Sequence, residues 1–486
     1  MVWQDSADYQ WRIALGDLRG PHELARAHPL FIALAYGLHR LTGIEPALAG
    51  NIMSALSAAV AVANVFVIAR LLGSSQLAST AAAAALAMSH TFWQFATMTE
   101  TYTLVGALMS GEILCLTLFA RTGRKWVIPL CGLANGLGVS NHGLALISLA
   151  CYVAIAVIVL RRTLGKHLAL AAATAACWLI GFLPLLALIV RQAALPEMTL
   201  VDTLRDWLVG RYYASNVFNF DLSFRMFILV AAMIGLSFPS VAVFLVPPGV
   251  RRLYRQTPAW LASVPTALFV AHLLFAARYN IVDQYTFFIP TYVAMSILVA
   301  AGADRLLALG GRWRALRWPL ITTLLWSPLV YAMLPVIMPR IAAHVRLPIP
   351  TREIPYRDPL RWFLWPWHTG YRGPERFVRE ALAQLPDDAV LLIDQTRAGP
   401  LYYGQVVWGL QPGIQINHER RAGPSQPIDP GHVADWVARG RLYIGGPEHD
   451  QFAHVEDRWV REKYGVEREG LLYRVVPVTP SSETED

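Results

Sequence analysis

Thr101-Tyr102-Thr103-Leu104-Val105-Gly106-Ala107-Leu108-Met109-Ser110-Gly111-Glu112-Ile113-Leu114-Cys115-Leu116-Thr117-Leu118-Phe119-Ala120 carries a single charged side chain, Glu112. A helix needs roughly 20 such residues to cross a hydrocarbon core. Comparable runs lie near 48–72, 77–97, 126–140, 143–160, 168–190, 226–247, 259–277, 286–303 and 318–338, so the chain reads as about ten crossings, with 126–140 short and tilted, bent or buried in protein. At 486 residues, 55% hydrophobic and only 15% charged, with a mean hydropathy of +0.41, the composition excludes a water-soluble globule. Glu112 reads as a bundle-facing carboxyl hydrogen-bonded to a neighbour rather than as a proton relay. The four cysteines (Cys115, Cys131, Cys151, Cys177) fall inside apolar runs, at no metal-ligand or disulfide spacing, and read as small core residues.

The net charge of +8 is explained by position. One alternating set of loops holds Arg70, then Arg121, Arg124 and Lys125, then Arg161, Arg162 and Lys166, then Arg251, Arg252 and Arg255, then Arg305, Arg312, Arg314 and Arg317. The positive-inside rule makes these loops cytoplasmic, which accounts for much of the basic excess without nucleic acid. The opposite set holds Asp5, Asp8, Glu100, Asn141-His142, the 191–224 loop and the segment from Arg278 to Tyr285. The groups able to do chemistry therefore face outward. This orientation also leaves Met1 to His28 outside with nothing to carry them across, and the expectation is that a first span stands upstream and is missing here.

The domains read as an outer loop with an acidic motif and interfacial helices (1–47), a transmembrane bundle (48–338), an interfacial linker (339–373), an extracytoplasmic α/β unit (374–478) and a polar, acidic tail (479–486) expected to be disordered. The linker is rich in Pro, Arg and aromatics, among them Trp362, Trp365, Trp367 and Tyr371, the mixture of a membrane interface. In the α/β unit, Ala389-Val390-Leu391-Leu392-Ile393 is a buried-strand run after the turn Pro386-Asp387-Asp388. Further strands are expected around 414–416, 442–444 and 471–475. The loop Asp394-Gln395-Thr396-Arg397-Ala398-Gly399-Pro400 has one glycine and then proline, so it is no phosphate loop.

Asp5 and Asp8, three residues apart, share one face of a helix. Alone they would read as a capped helix start. Placed outward beside a membrane, with His28, Glu100, His142, Arg211 and Arg278, they suit an enzyme that takes a lipid-linked anionic donor. One carboxylate would deprotonate an acceptor hydroxyl while Arg or His neutralises the phosphate left on the lipid. Two other readings fit the composition: a transporter or flippase of a lipid-linked glycan, and a scaffold whose C-terminal unit binds glycan or peptide.

Asp5-Ser6-Ala7-Asp8 with Ala27-His28-Pro29-Leu30-Phe31 resembles the Asp-Ser-Gly-Glu and Ala-His-Pro-Pro-Gly motifs that open the transmembrane protein O-mannosyltransferases of plexin-type ectodomains and their bacterial relatives. Trp93-Gln94 through Glu100-Thr101-Tyr102-Thr103-Leu104 resembles that family's Trp-Gln…Ala-Glu-Val-Tyr/Phe-x-Leu segment, and Gly136-Leu137-Gly138-Val139-Ser140-Asn141-His142 its Gly-Leu-x-x-x-Asn-Gln/His element. The loop from Leu204-Arg205-Asp206-Trp207-Leu208 to Arg211-Tyr212-Tyr213 is similar to its Phe-Leu…Arg-x-x-Tyr-Gly loop. Asp8 stands where the family has Glu, one methylene longer, and Leu30 replaces a second proline.

The resemblance implies a C-type glycosyltransferase: a polytopic all-α bundle in the bacterial inner membrane, using a polyprenyl-phosphate sugar and an extracytoplasmic protein or glycan acceptor. It implies Asp5, Asp8 and Glu100 as catalytic acids and Arg211 on the donor phosphate, where Arg278 joins it by its position in the outward-facing segment rather than by a motif. His28, Tyr102, Asn141 and His142 would bind substrate. The acids could hold Mg or Mn through oxygen ligands, but no spacing demands a cofactor.

Overall fold

The computed structural model describes residues 2–21, 23–210, 214–219, 223–281, 283–308, 315, 317–345, 354–417, 430–446 and 460–478. The chain begins with α1 (Asp5–Leu15), α2 (Pro29–Thr42), α3 (Pro46–Leu71), α4 (Gln76–Ala87), α5 (His90–Ala96), α6 (Tyr102–Thr122), α7 (Val127–Asn141), α8 (Ala145–Leu160) and α9 (Leu168–Ala193). There follow α10 (Leu200–Leu208), α11 (Ala214–Val217), α12 (Phe224–Ser237), α13 (Val246–Gln256), α14 (Ala259–Arg278), α15 (Ile289–Leu307), α16 (Arg317–Leu325) and α17 (Ser327–Val345). The C-terminal part holds α18 (Pro359–Leu364), α19 (Gly373–Gln384), β1 (Val390–Leu392), α20 (Gln395–Trp408), β2 (Gln415–Asn417), α21 (Pro430–Ala438), β3 (Leu442–Ile444), β4 (Gly465–Glu469) and β5 (Leu472–Val476).

Several apolar helices make this a multi-pass membrane protein. Among the described residues five helices are long and apolar enough to cross, or up to seven if each of two bent pairs is one span, where the sequence reading expects about ten. The difference has local causes. The run 77–97 breaks at Met88-Ser89 into helices of 12 and 7 residues. The runs at 126–140 and 143–160 form helices of only 15 and 16 residues. The run 226–247 folds through 102° after Ser237, where Pro239 removes a backbone donor.

Glycines set close contacts between helices. A Cβ on Gly136 of α7 would stand 2.1 Å from the Trp178 carbonyl oxygen of α9, and one on Gly181 would stand 2.5 Å from the Leu133 oxygen. Small residues let backbones meet in a medium that supplies no hydrophobic drive between helices. Gly249 and Gly302 do the same for α13 and α15, which is buried from Ile289 to Ala303. Glu112 lies outside the site region described below, and Asn135 Nδ2 donates to its Oε1 at 3.2 Å.

Helix direction separates the bundle's two ends. α3 runs from Pro46 to the turn after Arg70, α6 from Tyr102 to Arg121, and α7 from just past Lys125 to Asn141. Arg70, Arg121 and Lys125 thus collect opposite the end that holds Tyr102 and Asn141.

At that second end sits the C-terminal sheet, ordered β2-β1-β3-β5-β4. β1 pairs in parallel with β2 and β3, whereas β5 is antiparallel to β3 and β4. β4 escapes the sequence reading because Gly465–Glu469 is half polar and exposed at the sheet's edge. The tail from Ser481 lies outside the described residues. This unit docks on the front of the chain: Trp3, Trp11 and Ala47 share one apolar core with Phe377, Leu401, Tyr402 and Tyr403. Trp3 Nε1 donates to the Tyr371 hydroxyl at 2.6 Å, and the Tyr403 hydroxyl donates to Glu45 Oε1 at 2.7 Å.

Candidate active site

α1 starts after Gln4, whose φ is +61°, and ends on Gly16 in the left-handed region. Its first turn carries Asp5 and Asp8, and the two carboxylates go to different partners. Asp5 Oδ1 receives Arg26 Nη2 at 2.6 Å and Gln395 Nε2 at 2.9 Å. Asp8, only 5% exposed, faces Arg12 one turn on, with Nη1 to Oδ2 at 3.6 Å.

Arg12 is fully buried. Its guanidinium also donates to the carbonyls of Asp17 (3.2 Å), Leu18 (3.1 Å) and Ala27 (2.5 Å). It thereby ties the 16–27 segment to α1. That segment delivers Arg26 and His28. Asp206 anchors it from the far side, its Oδ2 accepting from the Leu24 amide at 3.0 Å and from Gln192 Nε2 at 2.7 Å.

His28 precedes α2 with φ +48°, ahead of Pro29 in the first helical turn. A left-handed non-glycine residue is strained by roughly 1–2 kcal/mol, and such strain persists where neighbours over-determine it. His28 Nδ1 lies 2.7 Å from the Asn141 carbonyl oxygen, an acceptor only, so Nδ1 carries the proton and Nε2 is the open acceptor. The His142 ring stacks on it at 5.1 Å. The Leu144 amide donates to His142 Nδ1 at 3.2 Å, which leaves the proton of neutral His142 on Nε2. Asn141 Nδ2 bonds the Thr101 carbonyl at 3.1 Å. Tyr9 meets His28 edge-on at 5.6 Å, and Tyr102 lies 5.2 Å from His142.

Burial holds His28 down at about 3 and His142 well below the usual histidine range. Both rings are neutral at physiological pH. Glu100 is pushed well above the ordinary carboxylate value by burial and then by the charge of Asp5. Its Oε1 lies 2.9 Å from Ser6 Oγ, and Ser54 bridges its backbone.

A cavity of about 180 Å³ opens here, lined by Asp5, Tyr9, Arg26, His28, Tyr102, His142 and Asp283, with an apolar wall that includes Leu144, Ile147, Trp207, Phe275 and Phe287. Of the residues singled out in the sequence, Asp5, His28, Tyr102 and His142 reach it. Asp8, Glu100 and Asn141 lie behind it, bonded to Arg12, Ser6 and Thr101. Arg278 stands at the end of α14, where its Nη1 donates to the Asn219 carbonyl at 3.1 Å, beside the lining residues Phe275 and Tyr279. Arg211 lies outside the described residues.

Sequence reasoning missed Arg26, Tyr9, Asp283 and Gln395. Arg26 stands two residues before His28, and Tyr9 one helical turn after Asp5, so both carried a local signal. Nothing local marks Gln395. Among the described residues no three His, Cys, Asp or Glu side chains gather as a metal-holding group. Asp5, Asp8 and Glu100 turn to three separate partners.

Part of this chain matches a glycosyltransferase family model, and its fold is similar to that of solved glycosyltransferases of the C-type. Residues 21–167 match the family model for the Protein O-mannosyl-transferase TMEM260 N-terminal domain, a stretch that includes Arg26, His28, Glu100, Tyr102, Asn141 and His142. In structure the chain is similar to ArnT from Cupriavidus metallidurans in the apo state, at 12% identity and a TM-score of 0.61, covering 97% of this chain and 92% of that one. It is also similar to the same protein bound to undecaprenyl phosphate, at 12% identity and a TM-score of 0.59 with the same coverage. The oligosaccharyltransferase of Archaeoglobus fulgidus in its apo form gives a TM-score of 0.50 at 11% identity, over 90% of this chain and 64% of that one. A search of curated proteins by sequence finds no match.

Proposed function

We propose that this enzyme moves a sugar from a polyprenyl-phosphate carrier to a hydroxyl of a Ser or Thr on an extracytoplasmic protein, with Asp5 as the base. The observation that carries the reading is the lining of one cavity: a carboxylate 2.6 Å from a guanidinium, two neutral imidazoles, and an apolar wall suited to a lipid chain. The family description supports a mannosyl transfer to protein. The solved ArnT complex with undecaprenyl phosphate supports the carrier. The basic loops at the opposite end of the bundle support an outward-facing site in a bacterial inner membrane.

In this reaction Asp5 takes the acceptor's hydroxyl proton as that oxygen attacks the anomeric carbon. The bond from the anomeric carbon to the phosphate oxygen breaks, and the polyprenyl phosphate leaves with the electron pair. Arg26, already in the cavity, meets the developing charge, with Arg278 at the end of α14 and Arg211, chosen from the sequence, as further phosphate partners. The open Nε2 of His28 accepts from a sugar or acceptor hydroxyl, and the Nε2–H of His142 donates.

The test is transfer from polyprenyl-phosphate mannose to a Ser/Thr-rich peptide by the purified chain in detergent. Asp5→Asn should lower kcat by roughly 10²–10⁴-fold, the usual contribution of a general base, at an unchanged melting temperature. Transfer that survives Asp5→Asn within tenfold would overturn the assignment.

A further inference from the structure

The C-terminal α/β unit reaches into the site at one atom. Gln395 Nε2 lies 2.9 Å from Asp5 Oδ1, the same oxygen that takes Arg26 Nη2 at 2.6 Å. Two N–H donors thus engage Oδ1. No described residue donates to Oδ2, and the Asp5 side chain keeps 35% of its exposure at the cavity. Such a fork fixes the carboxylate's rotation and aims its second oxygen at the open space.

Gln395 is itself held. It opens α20 directly after Asp394, whose side chain caps the helix by accepting from the Thr396 amide at 2.9 Å. The Gln4 amide, just ahead of α1, reaches the Thr396 carbonyl at 3.4 Å. One turn on, Gly399 brings the two backbones together: a Cβ there would lie 3.0 Å from Ala7 Cβ and 3.4 Å from the Asp8 amide nitrogen. α20 therefore moves with α1 or not at all.

We infer that Gln395 is a positioning residue for the transfer: it holds Asp5 Oδ1 so that Oδ2 meets the acceptor hydroxyl, making the C-terminal unit a working part of the active site. This rests on the reading of Asp5 as base. The division of labour follows from charge. An incoming phosphate draws Arg26 away from Asp5, whereas a neutral amide has no such reason to leave, so Gln395 keeps the carboxylate in register during the step.

The experiment uses the full chain, with polyprenyl-phosphate mannose and the Ser/Thr-rich peptide, and adds a readout that needs no turnover: carbodiimide labelling of the Asp5 carboxyl followed by mass spectrometry. Gln395→Ala should lower kcat about fivefold, the worth of one ordinary hydrogen bond, leave the donor KM within twofold and speed Asp5 labelling. Gln395→Glu, isosteric but unable to donate as a carboxylate, should lower kcat by twentyfold or more. Tyr403→Phe, which loosens the same docking surface at Glu45, should change neither kcat nor labelling. Wild-type kcat and labelling in both Gln395 variants overturns the inference, and so does an equal loss in Tyr403→Phe. If Asp5→Asn still transfers while Gln395→Ala is slow, the base assignment has failed instead.

Discussion

Arg12→Met tests how the site is held. The substitution keeps an unbranched stem of similar bulk and removes the guanidinium that bonds three carbonyls and faces Asp8. Breaking a buried ion pair from one side costs about 3–5 kcal/mol. Each carbonyl left without a donor adds about 1 kcal/mol or more, though these costs overlap because one group serves all four partners. A total of about 4 kcal/mol is the working figure. Unfolding entropy of ~2.1 cal/mol/K per residue makes this about 4 °C in Tm for a chain of this length. The loss is local to the 16–27 segment, so Arg26 and His28 drift and transfer should fall by about a hundredfold with Asp5 intact. Asp8→Asn is the sharper arm. It keeps the three carbonyl bonds and gives up the charge of the 3.6 Å pair, a one-sided break of the same ion pair, so Tm should fall while kcat stays within twofold. Differential scanning fluorimetry with the peptide-transfer assay reads both. An Asp8→Asn protein with unchanged Tm and a hundredfold loss of kcat would refute the reasoning and make Asp8 a reacting group.

Glu100→Gln probes the carboxyl whose value burial raises. The unfolded chain releases that proton above about 4.5 while the fold retains it, so the wild type loses stability as pH rises through that window and Gln does not. The Tm advantage of Glu100→Gln should grow from pH 5 to pH 8, and parallel curves would contradict it. His28, held at about 3 by burial, has the opposite sign: the unfolded chain gains a proton below about 6.5 that the fold refuses. The wild type should lose about 1.4 kcal/mol per pH unit on acidification through that range, and His28→Asn should remove this slope in the same melts. Gly136→Val places a Cβ 2.1 Å from the Trp178 carbonyl oxygen, so α7 must leave α9. A cost of about 3 kcal/mol or more is expected, with transfer falling because Asn141 and His142 end that helix. An unshifted Tm would show that the pair tolerates separation.

Membrane class was legible because hydropathy is additive along the chain: twenty apolar residues need no knowledge of their neighbours. The span count was not, because crossing also depends on where a helix breaks. Met88-Ser89 and Phe238-Pro239 interrupt runs whose mean hydropathy conceals the break. Within the site, Asp5 and His28 could be singled out from short motifs, and Tyr102 and His142 from theirs. The spacing of Asp5 and Asp8 puts them on one helical face, yet it does not say that one carboxylate meets Arg12 four residues on while the other meets Arg26 and Gln395 across the fold.

By itself the sequence determined the membrane character, the separation of basic loops from acidic ones, and which short segments hold reactive side chains. These are properties of composition and of neighbours within a helical turn or two. Only the tertiary structure decided which of those side chains share a cavity, that Arg26 belongs with them, and that Gln395, 390 residues from Asp5, touches the same carboxylate. Such contacts come from packing between distant elements, here α1 against α20 through Gly399, and no periodicity in the chain encodes them.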